Sequence, residues 1–183
     1  SFVSKLLGNK KEFRFHAIDG QHYAEIIDEN RVSLSMNDVK EIEKVNETHC
    51  TLNTGSPHYI VFDHDIMKKD LNSIARSIRY SDTYERDGIN VNLVEKIGED
   101  SIKMRTYERG VEGETWSCGT GVTAAAIAFS REKKDDEYEI YVETSGGKLQ
   151  VSFTKQENSF TKIWLQGPVK HVFTGSYTSN VNS

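Results

Sequence analysis

The sequence predicts an α+β fold with many short strands and few helices, and three observations carry that reading. Apolar residues recur with a period of two through Phe13, Phe15 and Ala17, through Tyr23 to Ile27, and through Val32, Leu34 and Met36. Two segments break that period. Leu71, Ile74, Ala75 and Ile78 follow the i, i+3, i+4, i+7 spacing of an amphipathic helix, and Val122 to Phe129 is small and apolar on every side. Turn-forming residues punctuate the rest, at Asp19-Gly20, Asp28-Glu29-Asn30 and Gly146-Gly147.

Taken in order, Ser1 to Leu7 reads as the back end of a helix closed by Gly8-Asn9, and a helix entered without a cap suggests sequence upstream. Glu12 to Met36 reads as an antiparallel meander. The charged, weakly apolar stretch Asn37 to Glu47 is the expected domain boundary. A second strand set opens with Thr48 to Asn53 and Tyr59 to Phe62. Asp70 then caps the amphipathic helix, and strands follow at Ile89 to Val94 and Ile102 to Tyr107. After the buried helix come strands at Glu139 to Glu143, Lys148 to Phe153, Lys162 to Leu165 and Val169 to Phe173, then a polar tail from Thr178. The expected division is 1–47, 48–166 and 167–183, the last a strand returning toward the first unit plus the tail.

Composition narrows the class. A net charge of −5 without a long basic run shows no nucleic-acid footprint. No apolar run reaches the roughly 18 residues of a spanning helix, so neither a membrane partner nor a secretory leader is expected, and a cytoplasmic location is the default. Two cysteines, Cys50 and Cys118, stand in unlike settings and are expected as free thiols.

The densest chemistry lies in Glu108-Arg109-Gly110, continuing to Ser117-Cys118-Gly119-Thr120-Gly121 at the entrance of the buried helix. Unpaired N–H groups and the helix dipole favour negative charge there, so Cys118 is expected as a low-pKa thiolate, with the same N–H groups ready for a carboxylate. Arg109 offers a planar fork for a carboxylate, and Glu108 orders an ammonium or acts on a thiol proton. On one strand, however, alternation points the two apart, so only one of them is expected to line a pocket. His58 follows the turn Gly55-Ser56-Pro57 and is the residue best suited to move protons near neutrality, although a histidine after a turn is commonly just exposed. Asn90 and Asn92 share a strand face, which suits a polar ligand or simply the wet side of a sheet. Asp63-His64-Asp65 alternates in direction too sharply to converge on a metal and reads as a polar loop.

These segments, in this order, resemble diaminopimelate epimerase along nearly the whole chain: Gly55-Ser56-Pro57-His58, Ile89-Asn90-Val91-Asn92, Glu108-Arg109-Gly110 and Ser117-Cys118-Gly119-Thr120-Gly121. The Cys-Gly-Thr-Gly loop is shared with proline racemase-like enzymes; the Glu-Arg-Gly run and the Pro-His turn favour the epimerase. The resemblance implies two pseudo-symmetric halves, each a mostly antiparallel sheet around a buried helix, with the site in the cleft between them. It implies a small-molecule substrate, diaminopimelate, and neither pyridoxal phosphate nor metal. Two cysteines on opposite sides of the substrate α-carbon would remove and deliver its proton. Cys118 would be the second-half cysteine, tuned by His58 and Glu108, with Asn90, Glu108, Arg109, Gly119, Thr120 and Ser56 at the substrate. The family usually carries Asn at the position of Ser56. Its first-half Cys-Gly-Asn-Gly loop has no counterpart here, and Cys50, on a strand without a glycine pair, does not replace it, so this length of chain alone is expected to be inactive. The alternatives are a proline or hydroxyproline racemase-type epimerase and a non-catalytic ligand-binding domain on the same scaffold. The oligomeric state is left open, a homodimer included.

Overall fold

The computed structural model describes residues 8–17 and 19–176. Its frame is one mixed sheet of twelve strands: β1 (Glu12–Ala17), β2 (Gly20–Asp28), β3 (Arg31–Ser35), β4 (Glu43–Lys44), β5 (His49–Asn53), β6 (Pro57–Phe62), β7 (Asn90–Lys96), β8 (Ser101–Glu108), β9 (Gly113–Thr115), β10 (Asp136–Thr144), β11 (Gly147–Gln156) and β12 (Ser159–Pro168). The spatial order is β1-β2-β3-β12-β11-β10-β8-β7-β6-β5-β4, with β9 hydrogen-bonded to β8 off that path. Most neighbours are antiparallel and joined by short turns. The two parallel pairs, β6 with β7 and β8 with β10, need crossovers, and each crossover carries a helix: α1 (Leu71–Arg79) and α2 (Gly119–Phe129). This is the α+β architecture the alternating pattern calls for.

The helices form for different reasons. In α1 the Asp70 carboxylate accepts from the Ser73 N–H at 3.1 Å, and the Leu71, Ile74, Ala75, Ile78 stripe packs on Tyr59, Val61, Val91, Leu93 and Tyr107. Helix α2 has no charged residue and is buried from Gly121 to Ala128, because strands β5 to β8 and β10 to β12 curl around it. Ile60, Val94, Met104, Ile140, Val151 and Ile163 close the core about it. No helix among the described residues is long and apolar enough to cross a membrane.

One expectation is corrected here. Residues 169–176 form no strand: Val172 and Phe173 are about four-fifths exposed, at 82% and 81%, and only Val169 is tied in, its N–H donating to the Asn30 carbonyl at 2.7 Å. β12 itself runs on to Pro168 beside β3, whose other edge β2 holds, and the chain beyond Pro168 joins neither open edge of the sheet, β1 or β4. Within the stretch 37–47, Val39 is 2% exposed and exchanges backbone hydrogen bonds with Phe160 at 2.9 and 2.7 Å. The helix end expected at Ser1 to Leu7 and the tail from Thr178 lie outside the described residues.

Candidate active site

The period of two along three neighbouring strands assembles the site. On β6, Tyr59 and Val61 face α1, so His58 and Ile60 face α2. On β7, Val91 and Leu93 likewise leave Asn90 and Asn92 on the α2 side. On β8 the same rule places Met104, Thr106 and Glu108 there, with Tyr107 opposite. Register brings them level: His58 stands beside Asn90, and Asn92 beside Thr106. The first turn of α2 descends onto this end of the sheet.

The polar groups so gathered form a chain. Thr106 Oγ1 donates to Asn92 Oδ1 at 3.0 Å, and Asn92 Nδ2 lies 3.1 Å from His58 Nδ1 and donates to the Tyr59 carbonyl at 3.2 Å. His58 Nε2 is 3.0 Å from Thr120 Oγ1, which is 3.4 Å from Cys118 Sγ. Thr54 Oγ1 fastens the same helix turn by donating to the Thr120 carbonyl at 2.8 Å. Asn92 and His58 are fully buried, so His58 is not the exposed residue that its place after a turn suggests, and the two amides are not a wet sheet face. Burial, and then the nearby Arg109 charge, push the His58 pKa from 6.5 down to about 3, so the ring is neutral in ordinary buffers.

Cys118 caps α2 with extended backbone, as the glycine pattern requires. Its thiol is nevertheless pushed up from its ordinary value near 9, which corrects the expected low-pKa thiolate. Burial is the largest cause and Glu108 adds to it; the Thr120 hydroxyl and the N–H groups of Thr120 and Gly121 pull the other way without prevailing. The resting group is a thiol already facing donors suited to a thiolate.

Gly121 shows why the loop ends in glycine. A Cβ there would lie 2.8 Å from Asn92 Oδ1 and 3.3 Å from His58 Cε1. Alanine normally favours a helix over glycine by about 1 kcal/mol. Here the sign is expected to reverse, with Gly121→Ala costing about 1–3 kcal/mol through the displaced helix start. A lowered Tm in thermal unfolding checks this, and a raised Tm would contradict the packing.

Glu108 and Arg109 engage different partners. Strand β8 ends at Glu108, and the chain turns through Gly110 at φ 85°. Glu108 Oε1 accepts from Thr115 Oγ1 at 2.5 Å. The exposed Arg109 directs Nη1 to the Asp87 carbonyl at 2.7 Å, so part of its fork is already engaged. Asn90 Nδ2 donates to Ser56 Oγ at 2.7 Å and to the Pro57 carbonyl at 3.0 Å, while its Oδ1 accepts from the Arg109 N–H at 3.0 Å. That ties the Ser56 turn to the end of β8 and leaves one Oδ1 lone pair for a ligand.

Sequence reasoning missed three contributors. Thr106 was findable from strand alternation, as it shares a face with Met104. Thr54 precedes the Gly55 turn, with no pattern to mark its reach to α2. Glu112 bears no sequence signal, yet it holds the loop after Glu108: it accepts from Gly110 N–H at 3.1 Å, Arg79 Nη2 at 3.2 Å, Tyr80 Oη at 2.9 Å and Tyr107 Oη at 3.2 Å. Cys50 is a free thiol, fully buried in the core around α2, and is not part of this arrangement. Asp63 pairs with Lys69 and Asp65 with Lys68, the expected polar loop.

Comparison with known proteins decides the family. The model of the family described as diaminopimelate epimerase matches residues 50–172. The chain is 42% identical over 173 residues to diaminopimelate epimerase of Flavobacterium psychrophilum, covering 94% of this chain and 67% of that protein. It is 34% identical over 185 residues to the enzyme of that name from Aquifex aeolicus, covering 96% and 64%. This chain belongs to the diaminopimelate epimerase family. It spans about two thirds of the length of these curated relatives. Among solved structures, a Bacillus anthracis phenazine biosynthesis protein of the PhzF family superposes with a TM-score of 0.67 at 16% identity, covering 92% of this chain and 71% of that one. A hydroxyproline epimerase from Agrobacterium vitis, solved with bound trans-4-hydroxy-L-proline, gives 0.58 at 14% identity, covering 87% and 57%. At those identities the likeness shows the shared fold alone, the one expected of a diaminopimelate epimerase.

Proposed function

We propose that the full-length protein is a diaminopimelate epimerase, interconverting LL- and meso-2,6-diaminopimelate by cofactor-independent proton transfer at the α-carbon. The observation that carries the reading is Cys118 at the start of the buried helix α2, its sulfur backed by Thr120 and His58 in a chain of the diaminopimelate epimerase family. An amino-acid α-proton is very weakly acidic, so the developing carbanion needs preorganised positive charge. The α2 N–H groups at Gly119, Thr120 and Gly121 supply it to a substrate carboxylate, and Arg109 adds its charge.

Cys118, a thiol at rest, delivers a proton to one face of the α-carbon and takes one up as thiolate in the reverse direction. The thiol on the opposite face is a second cysteine in this scheme, and Cys50 is too deeply buried to serve. Glu108 and Ser56 border the site where the distal ammonium is recognised, with Asn90 tying the Ser56 turn to the Arg109 N–H next to Glu108. We assign 1–47 to the N-terminal half, 48–166 to the C-terminal half with Cys118, and 167–183 to a closing segment that ends in the polar tail; the family match starting at residue 50 supports the first division. The reaction is placed in the cytoplasm, within lysine synthesis.

The test is chiral chromatography of the full-length protein incubated with LL-diaminopimelate, L-proline or trans-4-hydroxy-L-proline. Conversion of diaminopimelate alone is expected. Epimerisation of either proline in its place would move the protein to the racemase reading, and binding without conversion of any would make it a ligand-binding scaffold.

A further inference from the structure

We propose that Asn92 is a positioning residue that locks His58 with its proton on Nε2, so that the ring acts on Cys118 as a fixed donor through Thr120 and never as a base. What Cys118 then does to a substrate rests on the function proposed above; the lock itself does not.

Atoms that can only accept fix the polarity of the whole series. The Tyr59 carbonyl faces one end of the Asn92 amide at 3.2 Å, so that end is the NH₂ group, and the Thr106 hydroxyl donates to the other end at 3.0 Å. One Asn92 hydrogen goes to Tyr59 and the second points at His58 Nδ1, 3.1 Å away, which must therefore be a lone pair. A neutral imidazole with a bare Nδ1 carries its proton on Nε2, and that proton faces Thr120 Oγ1 at 3.0 Å. The Thr120 hydroxyl, its oxygen now accepting, keeps its own hydrogen for Cys118 Sγ at 3.4 Å. Every donor in the series points toward the sulfur, and no proton crosses His58 in either direction.

The surroundings hold this polarity. Helix α2 brings no charge to the ring; Arg109 disfavours a second proton on it, and Glu108 acts on Cys118 instead. Gly121 lets the helix close on Asn92 and His58 together, a contact that a side chain at this position would break.

Two readouts on the full-length protein test the lock. In ¹⁵N-resolved imidazole spectra, His58 is expected to show an unprotonated Nδ1 and a protonated Nε2, unchanged from about pH 5 to 9. A protonated Nδ1, or titration in that range, overturns the proposal. The second readout is iodoacetamide alkylation of Cys118 in Asn92→Asp, whose carboxylate only accepts and so forces a proton onto Nδ1. Once that ring loses its Nε2 proton, Thr120 turns to it and the sulfur loses its donor. The expected result is a new step in the pH profile, above which alkylation runs about tenfold slower than in the unaltered protein, one pKa unit's worth. Profiles that stay parallel contradict the lock. Neither readout uses a substrate, so failure to turn over diaminopimelate sinks the functional reading alone, and a wrong tautomer sinks this one alone.

Discussion

Cys118→Ala is expected to lower the interconversion of LL- and meso-diaminopimelate by the full-length protein at least about 10³-fold, the scale of losing a positioned acid/base group. The fold should survive, since the side chain lies at the helix entrance and α2 is held by the buried apolar residues Val122, Ala124 to Ala126, Ile127 and Ala128. Because burial pushes the thiol above its ordinary value near 9, its alkylation should keep accelerating as pH rises through 9, without the plateau near neutrality of a preformed thiolate. A variant that keeps a tenth of its rate would remove Cys118 from the chemistry. A plateau near pH 7 would contradict the balance of burial over helix-start donors.

The second large effect is on stability in acid. The His58 pKa is depressed from 6.5 to about 3 in the folded protein, so the unfolded chain binds the extra proton first as pH falls. The stabilisation is therefore fully present above 6.5 and is lost as pH drops toward 3, an upper bound of about 5 kcal/mol in all. Glu112 and Glu114, held low by hydrogen bonds, add to the loss at the acid end of that range. His22 has the opposite sign. Its raised pKa, from the Ser35 carbonyl and then Asp19, gives stability present below 6.5 and lost as pH rises through the raised value. His58→Gln isolates the first effect, as glutamine presents a donor and an acceptor without titrating. Urea unfolding at pH 6.5 and pH 4 should show the unaltered protein losing about 3 kcal/mol more than the variant. Equal losses would mean that the ring is solvated or already charged.

Both effects depend on residues the sequence exposes unequally. Strands and helices were legible from local periodicity: β1 to β3 lie within the alternating stretch from Glu12 to Met36 and α1 carries the stripe from Leu71 to Ile78, although Phe15, Tyr23 and Ile27 stay exposed. The final strand misled because Val169 to Phe173 has strand composition but pairs with neither open edge of the sheet, β1 or β4, a fact about topology that no local pattern contains. The site divides along the same line. Cys118, His58 and Asn90 were marked by glycines, a proline turn and a shared strand face. The thiol's direction of shift was not, because burial is set by seven strands wrapping α2, whereas the helix-start effect is local. Glu112, which bonds to α1, β8 and its own loop, is legible only once those elements meet.

The most direct test of the central claim, that Cys118 exchanges a proton with the substrate α-carbon, is turnover of LL-diaminopimelate by the full-length protein in heavy water, followed by mass spectrometry. The account expects meso product carrying one deuterium at the inverted carbon, formed in step with turnover and lost in Cys118→Ala. Product free of deuterium, or undiminished labelling by Cys118→Ala, would contradict it.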